Sequence, residues 1–172
     1  MRHLFFLFFI LCFSASEVAA QKPPETATEY ERAYQQRIQR EMINGVYIPK
    51  DMSEAFVELN RLVDEESRNK FKAIPETVAA EKLHFSFGRW LIKNWSFYEG
   101  SRLSVYLNQI GLFHPDDLAR FVVITYHRNL NREPLVVKAL VEQLQEARQQ
   151  LEATRRQNAP KTIISEEKRK RQ

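Results

Sequence analysis

The chain has 172 residues, with 26 Lys and Arg against 22 Asp and Glu, and a formal net charge of +4. This length suits one domain with a sizeable core. Much of the positive excess is local, because four consecutive basic residues occupy 168–171. The remainder is close to charge balance, which excludes the basic footprint expected of a nucleic-acid-binding protein.

The first 20 residues are typical of a secretory signal peptide. Arg2 precedes a ten-residue apolar run from Leu4 to Phe13, and a small-residue region follows from Ser14 to Ala20. This pattern predicts cleavage before Gln21. A retained anchor is disfavoured because ten helical residues span only about 15 Å, roughly half a bilayer core. The sequence therefore predicts an exported protein, periplasmic or secreted, with no transmembrane segment after cleavage.

The cysteine content supports a bacterial origin. Cys12 is the only cysteine, and cleavage would remove it, so the mature chain would have no disulfide, thiol nucleophile or cysteine ligand. Lipid modification of Cys12 is excluded because the bulky Leu11 precedes it. Small secreted eukaryotic domains usually depend on disulfides, so a cysteine-free exported chain fits a bacterial periplasm better.

The N-terminal region, residues 21–44, is predicted to contain one helix, from Glu29 to Ile43. Aromatic and apolar residues recur there every four positions, and Asn44-Gly45 is expected to end the helix. A capping-box-like start, Asp51 to Glu54, opens a second helix. Its predicted apolar face contains Ala55, Phe56, Leu59, Leu62 and Val63.

A charged segment from Asp64 to Ala73 follows, with Phe71 as its expected anchor. Pro75 suits the first turn of a new helix, which is predicted to run without interruption from Glu76 to Trp95. Apolar residues occupy most of its circumference, so we expect this helix at the centre of the bundle. Gly88 would let a neighbouring helix approach closely.

Two further helices have clear start signals. Ser101 is expected to cap a short helix that Gly111 ends. The next helix begins at His114-Pro115-Asp116-Asp117, where Pro suits the first turn and two carboxylates face the positive end of the helix dipole. It is predicted to continue to Leu130.

A long last helix is predicted over residues 132–157, opened by Pro134. Its apolar residues, from Val137 to Leu151, form a narrow seam suited to one neighbour, for which the first helix is a candidate. Residues 158–172 are predicted to be a disordered basic tail that stays solvated or contacts an anionic surface. No strand is predicted. The fold class is therefore all-α: a single-domain bundle of about six helices.

Three of the four histidines lie between residues 84 and 131, together with Asp116 and Asp117, but these residues do not form a recognisable catalytic motif. The spacings of His84, His114 and His127 match no helical zinc pair, so no metal site and no cofactor are predicted. Asp116 and Asp117 point about 100° apart on a helix and cannot face each other across one bond. Helix capping, with one carboxylate binding an arginine, is the favoured role for this pair.

A hydrolase remains an alternative. No nucleophile elbow, P-loop or dinucleotide motif occurs, so the weak catalytic candidates are His114, Asp117 and His127, with Arg128 beside them. These side chains would have to converge at one pocket, because proton transfer needs hydrogen-bond reach or one bridging water.

Basic side chains form the candidate binding surface. Spacings of four, three and four place Lys82, Ser86, Arg89 and Lys93 on one stripe, which suits an anionic ligand; an ordinary solvated face is the competing interpretation. Arginines at 102, 120 and 128 carry a planar fork that suits carboxylate or phosphate, or that ties helices together. The predicted binding residues are Arg89, Lys93, Arg102, His127 and Arg128.

Over about residues 45–131 the chain resembles a bacterial family of domains of unknown function. The resemblance rests on short motifs in a fixed order: GRW at 88–90, NW at 94–95, GSRL at 100–103, HPDD at 114–117, YHR at 126–128 and LN at 130–131. It implies a small bacterial domain and no known activity, so it assigns no catalytic residue. The first and last helices lie outside it.

The leading hypothesis is an exported, non-catalytic helical module that binds a partner protein or an envelope component. The export signal, the aromatic block, the seam of the last helix and the lack of a catalytic motif favour it. An inhibitor or immunity-like protein is a third hypothesis, which differs from the first only in its partner.

Overall fold

The computed structural model describes residues 26–158, which form eight α-helices, one π-helical turn and a two-stranded hairpin. The predicted class, a mostly helical single domain with a long C-terminal helix, is confirmed, although the helices number eight rather than about six. The predicted signal peptide, and all of the predicted tail except Asn158, lie outside the described residues.

The first helix is shorter than its periodicity predicts. Helix α1 (Ala27–Arg37) ends well before Ile43, because Met42–Ile43 (β1) pairs antiparallel with Val46–Tyr47 (β2). Asn44 and Gly45 form the turn, with φ angles of 50° and 77°. A two-residue hairpin turn requires such left-handed angles, which Asn-Gly adopts readily. The dipeptide therefore makes a hairpin, and the prediction that it ends a helix is wrong.

Three helices follow, each with an identifiable start. In α2 (Met52–Leu62), the Asp51 carboxylate accepts a hydrogen bond from the Glu54 backbone N–H at 2.9 Å. In α3 (Glu65–Ala73), Asp64 caps in the same way, and Phe71 is buried as predicted. Helix α4 (Glu76–Lys82) begins directly after Pro75. These caps satisfy N–H groups that have no partner within their helices.

The predicted continuous helix from Glu76 to Trp95 is interrupted. After α4 the chain forms a π-helical turn, His84–Gly88, and then α5 (Arg89–Asn94). The Gly88 N–H donates to the Leu83 carbonyl at 2.9 Å, five residues back. Such single-turn π segments are often found at functional sites. The apolar spacing from Glu76 to Trp95 fits a continuous α-helix, so the sequence does not predict the π-helical turn.

The centre of the fold is a different helix from the one predicted. After α6 (Arg102–Gln109), helix α7 (Pro115–Asn131) contains ten buried residues and packs against α2, α3, α4, the π-helical turn, α5 and α8. It starts at Pro115, as predicted. It ends at Arg132, whose left-handed backbone has a φ of 58°. The core therefore surrounds α7.

The last helix, α8 (Val137–Asn158), starts three residues after Pro134 and packs on α7 rather than on α1, which corrects two predictions. Leu140, Val141 and Leu144 join the core, whereas Leu151 is exposed. Only the first half of the seam is therefore covered. Within residues 26–158, no helix is long and apolar enough to cross a membrane.

Candidate functional site

Asp117 is a structural residue in this fold. Its two carboxylate oxygens accept hydrogen bonds from Arg148 of α8 at 2.8 and 2.9 Å. The Asp117 side chain is only 12% exposed, so its charge requires a partner. The expectation that one aspartate of the pair binds an arginine is met here. The pairing leaves this carboxylate poorly placed for acid–base chemistry.

Arg102 holds the hairpin and α2 against α6. Its Nε donates to the Ile48 carbonyl at 2.6 Å, and its terminal nitrogens lie 3.3 Å from Glu41 and 3.4 Å from Glu54. The guanidinium carbon lies 5.1 Å from the centroid of the Tyr47 ring. Each of the three guanidinium nitrogens of Arg102 therefore has an acceptor within the chain.

The Glu54 carboxylate interacts with several further donors where the hairpin and α2 meet α6. The Tyr47 hydroxyl donates to it at 2.7 Å and the Lys50 backbone N–H at 3.0 Å, and the Lys50 Nζ lies 2.7 Å away. These interactions, the Lys50 side chain first, lower the pKa of Glu54 to about 2. Hydrogen bonds to the charged form of a carboxyl group have this effect.

Arg128 has the same kind of structural role at the other end of the molecule. Its Nε and Nη2 each donate to one oxygen of Glu76 at 2.7 Å, and Nη1 donates to the Leu135 carbonyl at 2.6 Å. The guanidinium lowers the pKa of the Glu76 carboxyl. Arg128 thereby joins α7 to α4 and to the link that leads into α8.

His127 is buried beside Phe71, whose ring meets the imidazole edge-on at a centroid distance of 5.3 Å. Its Nε2 lies 2.9 Å from the Ile74 carbonyl oxygen, which can only accept, so Nε2 carries the proton. The buried Nδ1 has no hydrogen-bond partner among the described residues. His127 is thus a core residue that ties α7 to the turn before α4.

His114 lies at the opposite end of α7. Its Nδ1 accepts a hydrogen bond from the Asp116 backbone N–H at 3.2 Å and caps the helix. Thirteen residues separate it from His127, which corresponds to about 20 Å along a helix. The two imidazoles cannot share one proton-transfer site, so the structure does not assemble the composite site of the hydrolase hypothesis.

Metal-binding groups do not cluster in the described part of the chain. Across residues 26–158, no three His, Cys, Asp or Glu side chains lie close enough together to hold a metal ion. The side chain of His84 lies outside the described set.

The basic stripe faces solvent along its whole length. Lys82, Ser86, Arg89 and Lys93 are all exposed: Lys82 precedes the π-helical turn, Ser86 lies in it, and Arg89 and Lys93 follow it. The Arg89 guanidinium carbon lies 5.7 Å from the centroid of the Phe85 ring, and Phe85 is 71% exposed. We call Phe85, Arg89 and Lys93 the π-turn surface. It presents an aromatic ring and two cations together.

Sequence reasoning found the arginines but missed their partners. The pairs Arg102–Glu54, Arg128–Glu76 and Asp117–Arg148 each join residues remote in the chain, and no local pattern connects them. Phe85 was also missed, because a phenylalanine inside an apolar helical pattern is expected to be buried.

The fold and these contacts define a small, mostly helical domain in which Arg102, Arg128 and Arg148 tie separate elements together. Residues 48–130 match the family model described as "Domain of unknown function (DUF6794)". The match covers a little under half of the chain, from the residues before α2 almost to the end of α7, and leaves α1 and α8 outside. No curated protein and no solved structure matches the chain.

Proposed function

We propose that this protein is an exported, non-catalytic module that binds an acidic surface of a partner protein through the π-turn surface. The observation that carries the proposal is the contrast between two groups of predicted residues. Arg102, His127 and Arg128 are bonded inside the molecule, whereas Arg89 and Lys93 face solvent beside an exposed aromatic ring.

Two physical arguments support this surface. Aromatic residues and arginine are enriched in the buried centres of protein interfaces, where Phe85 and Arg89 would provide apolar area and a planar cation. Lys93, four residues after Arg89 on α5, adds a second exposed positive charge. Complementary charge speeds association and selects acidic partners. The inhibitor or immunity-like hypothesis needs the same surface and differs only in which protein occupies it.

A double charge reversal tests the surface. The partner is first captured from native envelope by crosslinking, identified and purified, and its Kd for the protein is then measured. Arg89→Glu/Lys93→Glu should weaken binding more than tenfold, with little change in Tm. Lys138→Glu/Arg155→Glu, which reverses two exposed cations on α8, should change Kd less than twofold. Equal effects of the two variants would refute the surface, and binding to a cell-wall polymer alone would refute a protein partner.

We also propose that the protein is exported, on the basis of the signal-peptide pattern in residues 1–20. Cell fractionation should place the protein in the periplasm or the medium, with an N-terminus at Gln21. Recovery in the cytoplasm with the first 20 residues attached would contradict export.

A further inference from the structure

Among the partly buried arginines of α6, α7 and α8, Arg120 is the exception. Arg102, Arg128 and Arg148 each donate to two or more acceptors of the chain. The Nε of Arg120 is shielded from solvent and has no hydrogen-bond partner among residues 26–158. A guanidinium is always charged, and shielding an unpaired donor of a charged group is unfavourable. An acceptor that a ligand brought to this guanidinium would offset part of this cost.

A cleft lies where Arg120 reaches the surface. It is formed by α4, α7 and α8 and has a volume of about 160 Å³. Thr77 and Gln143 add polar groups to its lining. The apolar part of the wall consists of Ala80, Ile124, Leu144 and Ala147. Apolar walls with a few convergent polar groups are typical of small-ligand sites.

The two carboxylates that line the cleft do not occupy Arg120. Both oxygens of Glu76 are held by Arg128 at 2.7 Å, so its charge is already compensated. Glu81 is exposed to solvent, which screens its repulsion of an incoming anion.

We propose that the cleft at Arg120 binds a carboxylate carried on a short apolar chain. The guanidinium provides the planar fork that matches a carboxylate, and the apolar wall accommodates the chain. The source of the carboxylate is either a free short-chain acid or a glutamate side chain of an acidic protein segment. None of these residues belongs to the π-turn surface, so either proposal can fail without the other.

Titration with sodium butyrate, followed by NMR of the arginine Nε–Hε groups and the backbone amides, tests the site. Butyrate should cause saturable shifts at Arg120 Nε–Hε and at the amides of Thr77 and Ala80, and butylammonium chloride should cause none. Arg120→Gln should abolish the amide shifts, whereas Arg155→Gln, which changes an exposed arginine of α8, should preserve them.

A decaglutamate peptide distinguishes the two sources. Saturation at a concentration at least tenfold below that of butyrate would assign the site to an acidic protein segment, and saturation by butyrate at an equal or lower concentration would assign it to a free acid. Absence of saturable shifts with both probes would overturn the proposal.

A stability comparison separates a ligand site from a structural arginine. Arg120→Leu should leave Tm unchanged or raise it, because it removes an unpaired donor, and Arg128→Leu should lower Tm. An equal loss in the two variants would show that Arg120 is structural and would overturn the proposal.

Discussion

Asp117 and Arg148 join the first turn of α7 to the middle of α8 through two hydrogen bonds of 2.8 and 2.9 Å. Asp117 lies within the segment that matches the family model, and Arg148 lies outside it. The charged pair is largely shielded from solvent. Helix α8 therefore belongs to the same folded unit as the matched segment, because its Arg148 compensates the shielded negative charge of Asp117.

The Asp117–Arg148 pair should contribute to the free energy of unfolding. Asp117→Asn should lower the free energy of unfolding by about 3 kcal/mol, because it leaves the Arg148 guanidinium largely buried without a counter-charge. Asp116→Asn should cost less than about 1 kcal/mol, the usual range for a charge at a helix N-terminus. Chemical denaturation of both variants measures the difference. Equal losses would show that the pair does not hold α8 to α7.

The lowered pKa of Glu54 predicts that the unfolding free energy depends on pH. Its pKa is lowered from 4.5 to about 2 in the folded protein, first by the Lys50 side chain. The unfolded chain therefore takes up this proton near pH 4.5, but the folded chain does so only near pH 2. The contribution of Glu54 to stability is complete above pH 4.5 and is lost as the pH falls toward 2.

Glu54→Gln should accordingly flatten the decline of the unfolding free energy between pH 4.5 and 2. Glu66→Gln provides the control, because Glu66 pairs with Lys70 and both side chains are exposed. Denaturant titrations at half-unit pH intervals give the two slopes. If the unfolding free energy of Glu54→Gln falls with pH as steeply as that of the unmodified protein, Glu54 does not cause the pH dependence.

Gly100 and Gly45 differ in what surrounds them. Both have positive φ angles, of 91° and 77°. A Cβ on Gly100 would overlap the Tyr34 ring of α1, whereas one on Gly45 would meet nothing within 4 Å. Gly45→Ala should therefore cost only the left-handed backbone strain, about 1–2 kcal/mol. Gly100→Ala should cost more, because it also pushes α1 away.

Thermal denaturation should rank the two variants in that order. In the Tyr34→Ala background, Gly100→Ala should cost about as much as Gly45→Ala does, since the overlapping ring is gone. If Gly100→Ala is no worse than Gly45→Ala in the unmodified protein, α1 does not pack at Gly100.

Features that depend on residues close together in the chain could be predicted from the sequence. The caps at Ser101 and His114 and the anchor Phe71 depend on residues a few positions apart or on one apolar side chain in a polar helix. The Asn44-Gly45 hairpin signal was also present, but the four-residue spacing through Met42 concealed it. The partners of Arg102 and Arg128 depend on packing between distant segments, which periodicity does not specify. The same limit applies to the π-helical turn and to Phe85.

Photo-crosslinking at Phe85 tests the central claim, that the π-turn surface is the binding surface, most directly. A benzoylphenylalanine replaces Phe85 in one sample and Phe113 in the other, since the two phenylalanines are 71% and 73% exposed. We expect the position-85 probe alone to crosslink the partner protein, and Arg89→Glu to abolish the product. Equal crosslinking from both positions, or a product from position 113 only, would contradict the account.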